Sequence, residues 1–102
     1  MQPFIASKMA QIEEVCRAHH VRRLAVFGSA VRDDFDPARS DVDLLVEFQP
    51  ITGQNRFELY FRLHEALERL LNRKVDLVEA GSVKNPYIQR AVERDQRALY
   101  AA

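Results

Sequence analysis

Apolar residues recur along this chain with two different periods. Ile5, Met9, Ile12 and Cys16 fall on one stripe at helical spacing, while Lys8, Gln11 and Glu14 lie off it. That pattern predicts a first helix over about 3–19, with Pro3 suited to its first turn. The run 23–27 is short, apolar and stopped by Gly28, and reads as a buried strand. Residues 29–40 form a Ser-, Asp- and Pro-containing loop with a short helical stretch near 30–32. A second strand is predicted over 42–48 from its branched residues, and Pro50 to Gly53 then break the chain. A strong helix follows over 56–71, with Phe57, Tyr60, Phe61, His64, Leu67, Leu70 and Leu71 as its apolar stripe. The run 74–78 is a third strand. Asn85 as N-cap and Pro86 at the first position open a last helix carrying Ile88, Ala91, Val92 and Leu99 inward. The order helix, strand, strand, helix, strand, helix predicts a small α/β sandwich with a three-stranded sheet.

Composition narrows the class. At 102 residues the chain is expected to be a single domain over 1–102, long enough for one core. Fifteen basic residues balance fifteen acidic ones, so no basic excess supports direct nucleic-acid binding. No apolar run reaches the roughly 18 residues of a membrane span, and the N-terminus lacks the layout of a signal peptide. A lone cysteine, Cys16, cannot close an internal disulfide, which makes a cytoplasmic location the expectation.

Three features carry chemistry. Gly28-Ser29 directly follows a buried strand. Glycine lets a backbone approach a phosphate closely, and the Ser29 hydroxyl with neighbouring N–H groups can donate to phosphate oxygens. Arg32, one turn on, could pair with the same phosphates. Asp41 and Asp43 flank Val42 at the start of the second strand, so both point to one face, about 6.5–7 Å apart. Asp76, between Val75 and Leu77, also faces away from its apolar neighbours. If the third strand pairs beside the second, three carboxylates converge. Such oxygen donors favour Mg²⁺ or Mn²⁺ over zinc, and two such ions can clamp an in-line phosphoryl displacement. No Walker A or dinucleotide fingerprint is present.

Phe27-Gly28-Ser29, then Asp41-Val42-Asp43-Leu44, with Asp76 in a later strand, resembles the nucleotidyltransferase superfamily that includes DNA polymerase β. The phrases FGSAVR, SDVDLLVEF and RKVDLVEAGSVKNPYIQRAVERD look like the minimal nucleotidyltransferases of bacteria and archaea, over about 20–100. One departure is Asp33, where many members carry Gly. The resemblance implies a small mixed sheet flanked by helices, the palm-like fold of polymerase β. It implies that Asp41, Asp43 and Asp76 are catalytic and hold the metals, with Asp76 also helping to take the acceptor's proton. Gly28 and Ser29 would grip the triphosphate of ATP, with Arg32 as a further phosphate ligand. Members commonly stand beside a helical HEPN toxin in a type VII-like toxin–antitoxin pair, and some transfer AMP from ATP to a toxin tyrosine.

Three functions compete on these residues. The leading one is a Mg²⁺-dependent adenylyltransferase that neutralises a HEPN partner. The second is a non-catalytic antitoxin acting by contact alone. The third is a transferase to a small molecule or RNA, whose relatives carry acceptor-binding domains beyond the last helix; here a partner is expected to supply that pocket. His19, His20 and His64 share no ligand spacing, and His64 and Cys16 read as packed residues. Arg90, Arg94 and Arg97 read as a solvated helical face, and Asp33, Asp34 and Asp36 as a solvated loop.

Overall fold

The computed structural model describes residues 1–32 and 34–102. The departure at Asp33 therefore lies outside the described residues. The elements are α1 (Pro3–Ala6), α2 (Met9–Ala18), β1 (Val21–Phe27), a 3₁₀ turn (Gly28–Ala30), β2 (Val42–Phe48), α3 (Arg56–Leu71), β3 (Val75–Glu79), α4 (Pro86–Asp95) and β4 (Arg97–Ala101).

One mixed sheet in the order β3-β2-β1-β4 organises the molecule. β1 runs antiparallel to β2 and to β4, and β2 runs parallel to β3 through the α3 crossover. Strand alternation divides the side chains between two faces. Val42, Leu44 and Val46 of β2, with Leu24 and Val26 of β1, are each at most 1% exposed and form the floor of the core. Ile5, Ile12 and Cys16 from α1 and α2, and Leu63 and Leu67 from α3, close it from above. Phe27, Asp43 and Asp76 share one rung of the opposite face. α4 packs against β1 and the 3₁₀ turn.

Three expectations need correction. The first helix is two, because the helical run ends at Ser7, whose Oγ donates to the Phe4 carbonyl, and Lys8 leaves helical geometry at φ −115° and ψ 17°. The sheet has four strands. The last helix ends at Asp95, Gln96 turns extended at φ −59° and ψ 139°, and Leu99 enters the core from β4 instead of from a helix. Arg97 accordingly lies on β4 and not on the helical face.

The apolar face of α3 is also displaced. Leu59, Leu63, Leu67 and Leu71 are buried at i, i+4 spacing, whereas Phe57 and Phe61 are 75% and 61% exposed. The adjoining stripe Tyr60, His64 and Glu68 lies along the outer edge of β3. Tyr60 donates to the Leu77 carbonyl, His64 Nε2 lies 2.8 Å from the Val75 carbonyl, and Glu68 accepts from the Val75 N–H. Three side chains thus occupy backbone groups that an exposed edge strand would offer to another chain. His64 is part-buried at this edge, and its ring serves the strand.

Candidate active site

β1, β2 and the 3₁₀ turn converge on Asp43. Phe27 pairs with Asp43 across the antiparallel ladder, so Gly28 leaves β1 directly beside that carboxylate. Gly28 has φ 72°, and a Cβ built there would collide with Asp43 Oδ2 and lie 3.3 Å from its Cγ. Both the backbone angle and the close approach disfavour a side chain at this position. The 3₁₀ turn then carries Ser29 to the wall of a cavity of about 320 Å³ that also includes Gly28, Arg32, Asp43, Asp76 and Tyr87.

Asp43 and Asp76 are register partners on parallel strands. Asp43 is half-buried and Asp76 exposed. Burial, then the charges of Asp76 and Asp41, push the Asp43 carboxyl up to about 6, and Arg32 acts weakly in the other direction. Asp41 stands just before β2, exposed, and outside the cavity lining, but near enough for its charge to act on Asp43. The structure thus brings two of the three expected carboxylates together and leaves the third at the rim. Among the described residues, no three carboxylate, imidazole or thiol groups are already drawn together as a metal cage. The donor chemistry nevertheless suits a hard divalent cation: the groups at hand are carboxylate oxygens, and the ionised form of Asp43 is opposed by burial and like charge.

Arg32 lies in the cavity wall as expected, but it is not free. Its Nη1 donates to Asp95 Oδ2 at 2.7 Å, and its Nε and Nη2 donate to Asp34. Asp95 is the buried charged residue among those described, at 6% exposure. It also accepts from Arg94 Nε and Nη2, both at 2.9 Å, and the two guanidinium groups, Arg94 first, hold its carboxyl below the usual range. Sequence reading placed Arg94 on a solvated face and passed over Asp95. The available signal was an acid in the last turn of a helix, where the dipole disfavours it and a cationic partner is required.

Of the residues set aside, Arg94 is in the cavity lining, whereas Cys16, His19, His20, His64, Asp34, Asp36, Arg90 and Arg97 are not. Cys16 is buried, which with Glu13 pushes its thiol up to about 12 and leaves no thiolate for chemistry. His19 hydrogen-bonds the Val15 carbonyl. Asp36 builds a turn, accepting from the Ala38 N–H. A larger cavity of about 540 Å³ lies between α3 and the end of β3, beside Phe57 and Phe61. Its charged pair, Arg56 and Glu79, is mutually satisfied, which leaves the smaller cavity as the candidate site.

A nucleotidyltransferase domain model matches residues 8–99, and the chain belongs to that family. Over 85 residues it is 39% identical to the Thermococcus cleftensis protein adenylyltransferase MntA, covering 76% of this chain and 82% of that one. Its fold matches a chain in the structure of a tri-AMPylated Shewanella oneidensis HEPN toxin in complex with MNT antitoxin, at TM-score 0.66 and 18% identity, over 96% of this chain and 73% of that chain. A toxin–antitoxin structure with AMP-PNP matches at TM-score 0.66 and 22% identity, over 92% and 73%. The family expected from the Gly28-Ser29 and Asp41-Val42-Asp43 motifs is the family found, and the small mixed sheet is its fold.

Proposed function

We propose that this chain transfers AMP from ATP to a tyrosine hydroxyl of a HEPN-family toxin, and that it thereby acts in the cytoplasm as the antitoxin of that pair. The carrying observation is the rung that sets Asp43 beside Asp76, with Gly28 pressed against Asp43 and Ser29 in the same cavity. The MntA relative supports the reaction class by its name, and the complexes of the same fold support the kind of partner.

Asp41, Asp43 and Asp76 would hold Mg²⁺ or Mn²⁺, which would neutralise phosphate charge and orient the α-phosphate. Gly28 leaves room for the phosphate chain, and Ser29 donates to its oxygens. Asp76, the more exposed carboxylate, accepts the tyrosine proton as the phenolic oxygen bonds to the α-phosphorus. The bond from that phosphorus to the bridging oxygen breaks, and pyrophosphate leaves with the electron pair.

The test is label transfer from α-labelled ATP to a purified HEPN partner with Mg²⁺. The wild type should label the partner, and a folded Asp41→Ala, Asp43→Ala variant should not. Undiminished transfer by that variant would remove the carboxylate assignment. Neutralisation of the toxin without any label would instead establish inhibition by contact alone.

A further inference from the structure

We propose that Arg94 is a phosphate-binding residue of the nucleotide site, and that Asp95 is the positioning residue that sets Arg94 and Arg32 for that task. The inference rests on the nucleotidyltransferase reading. Both arginines line the cavity that contains Asp43, Asp76 and Ser29, so its lining carries carboxylates from the sheet and guanidinium groups from the segment just after the 3₁₀ turn and from α4. A nucleoside triphosphate carries several negative charges, and the carboxylates alone would repel it.

The hydrogen bonds show how the guanidinium groups are presented. A guanidinium has five N–H donors in a planar fork. Asp95 takes one edge of Arg94, through Nε and Nη2. Three donors remain on the opposite side: both on Nη1 and one on Nη2. Arg32 spends one donor on Asp95 and two on Asp34, leaving two. Asp95, at 6% exposure, is fixed by its surroundings, while the Arg94 side chain is 63% exposed and reaches solvent. A buried anchor with exposed free donors is pre-organised, so the ordering of a long side chain is settled before ligand binds. Lysine could not reproduce the fork, because its ammonium cannot present one edge to a carboxylate and the other to a phosphate.

The arrangement on α4 agrees. Tyr87, Ala91 and Arg94 recur at helical spacing and all line the cavity. The helix therefore offers an aromatic and apolar surface at its first turn and a cation at its last, about 10 Å further along. A nucleotide has the same order, with a flat aromatic base that stacks at one end and phosphates at the other.

Calorimetry with Mg²⁺ and ATP, ADP or AMP tests this without any partner protein. Arg94→Ala removes an exposed side chain and leaves Asp95 paired with Arg32, so the fold should survive. It should weaken ATP binding by roughly 10- to 150-fold, the range for a hydrogen bond to a charged group, and AMP binding by less than about twofold. Arg94→Lys should recover only part of the loss. Asp95→Asn should weaken ATP more than AMP by a smaller factor, because the arginines stay but lose their anchor; a purely structural role for Asp95 would weaken all three nucleotides alike. An Arg94→Ala protein that binds ATP within twofold of the wild type would overturn the inference and leave the enzyme reading standing. A folded wild type that binds none of the three nucleotides would overturn both.

Discussion

Asp43→Asn should make the metal-free protein more stable, and only above a defined pH. Asp43 in the folded state titrates at about 6, raised from 3.8 by burial and then by Asp76 and Asp41. The folded protein therefore holds this proton more tightly than the unfolded chain, and ionised Asp43 opposes folding. The penalty is complete above about pH 6, shrinks as pH falls, and is gone below about pH 4. A rise of roughly two units corresponds to at most about 3 kcal/mol. Asp43 is half-buried, so solvent screening reduces this to about 1–2 kcal/mol. For a chain of this length the gain in Tm should be roughly 5–10 °C. Asp76→Asn should raise Tm less, because it removes only a neighbouring charge. Thermal melts in EDTA at pH 7.5 and pH 4 read the effect. A variant that melts at or below the wild type at pH 7.5 would refute the repulsion argument. An equal gain at both pH values would show that the stabilisation has nothing to do with ionisation.

Two substitutions test the backbone and the surface. Gly28→Ala should cost about 1–2 kcal/mol from its positive φ, with a further loss from the collision with Asp43. In an Asp43→Ala background that further loss should disappear in denaturant melts, and an unchanged cost would mean the contact is not felt. Phe57→Ser and Phe61→Ser should each alter stability by no more than about 0.5 kcal/mol, whereas Leu63→Ala should cost about 2–5 kcal/mol. A large loss in the Phe57 variant would place that ring in the core and refute its exposed position.

The strands β1, β2 and β3 were legible because period-two alternation and branched residues leave few alternatives, and α3 because sixteen residues repeat one helical pattern. Its buried face was misjudged for a specific reason. Two stripes on α3 are apolar, one of leucines and one containing Phe57, Tyr60 and Phe61, and composition alone favours the larger aromatic residues. Geometry decides otherwise, since the aromatic stripe falls over the edge of β3, where Tyr60 is used for its hydroxyl as well as its ring. β4 was missed because Arg97-Ala98-Leu99-Tyr100-Ala101 is short and continues the helical spacing of Ile88 and Val92. What ends the helix is the extended conformation of Gln96, which lets Leu99 reach the core from the free side of β1.

The candidate site divides along the same line. Asp43 and Asp76 could be placed on one rung because strand periodicity and parallel pairing are local rules that act together. Gly28 could be chosen because it follows a strand without a break. The Asp95 anchor could not be read this way, since it joins Arg32, in the loop after the 3₁₀ turn, to a helix residue 63 positions later, and no periodicity relates the two. Its necessity is electrostatic. Arg32 and Arg94 bring two positive charges to one side of the cavity, and unless a carboxylate fixes them there, each is a long side chain free to find other partners. A site that binds a polyanion on a chain of zero net charge must concentrate its cations locally. Burying one acid between two arginines does so, holding guanidinium donors that Asp95 and Asp34 leave free opposite the carboxylates that the cation is proposed to neutralise.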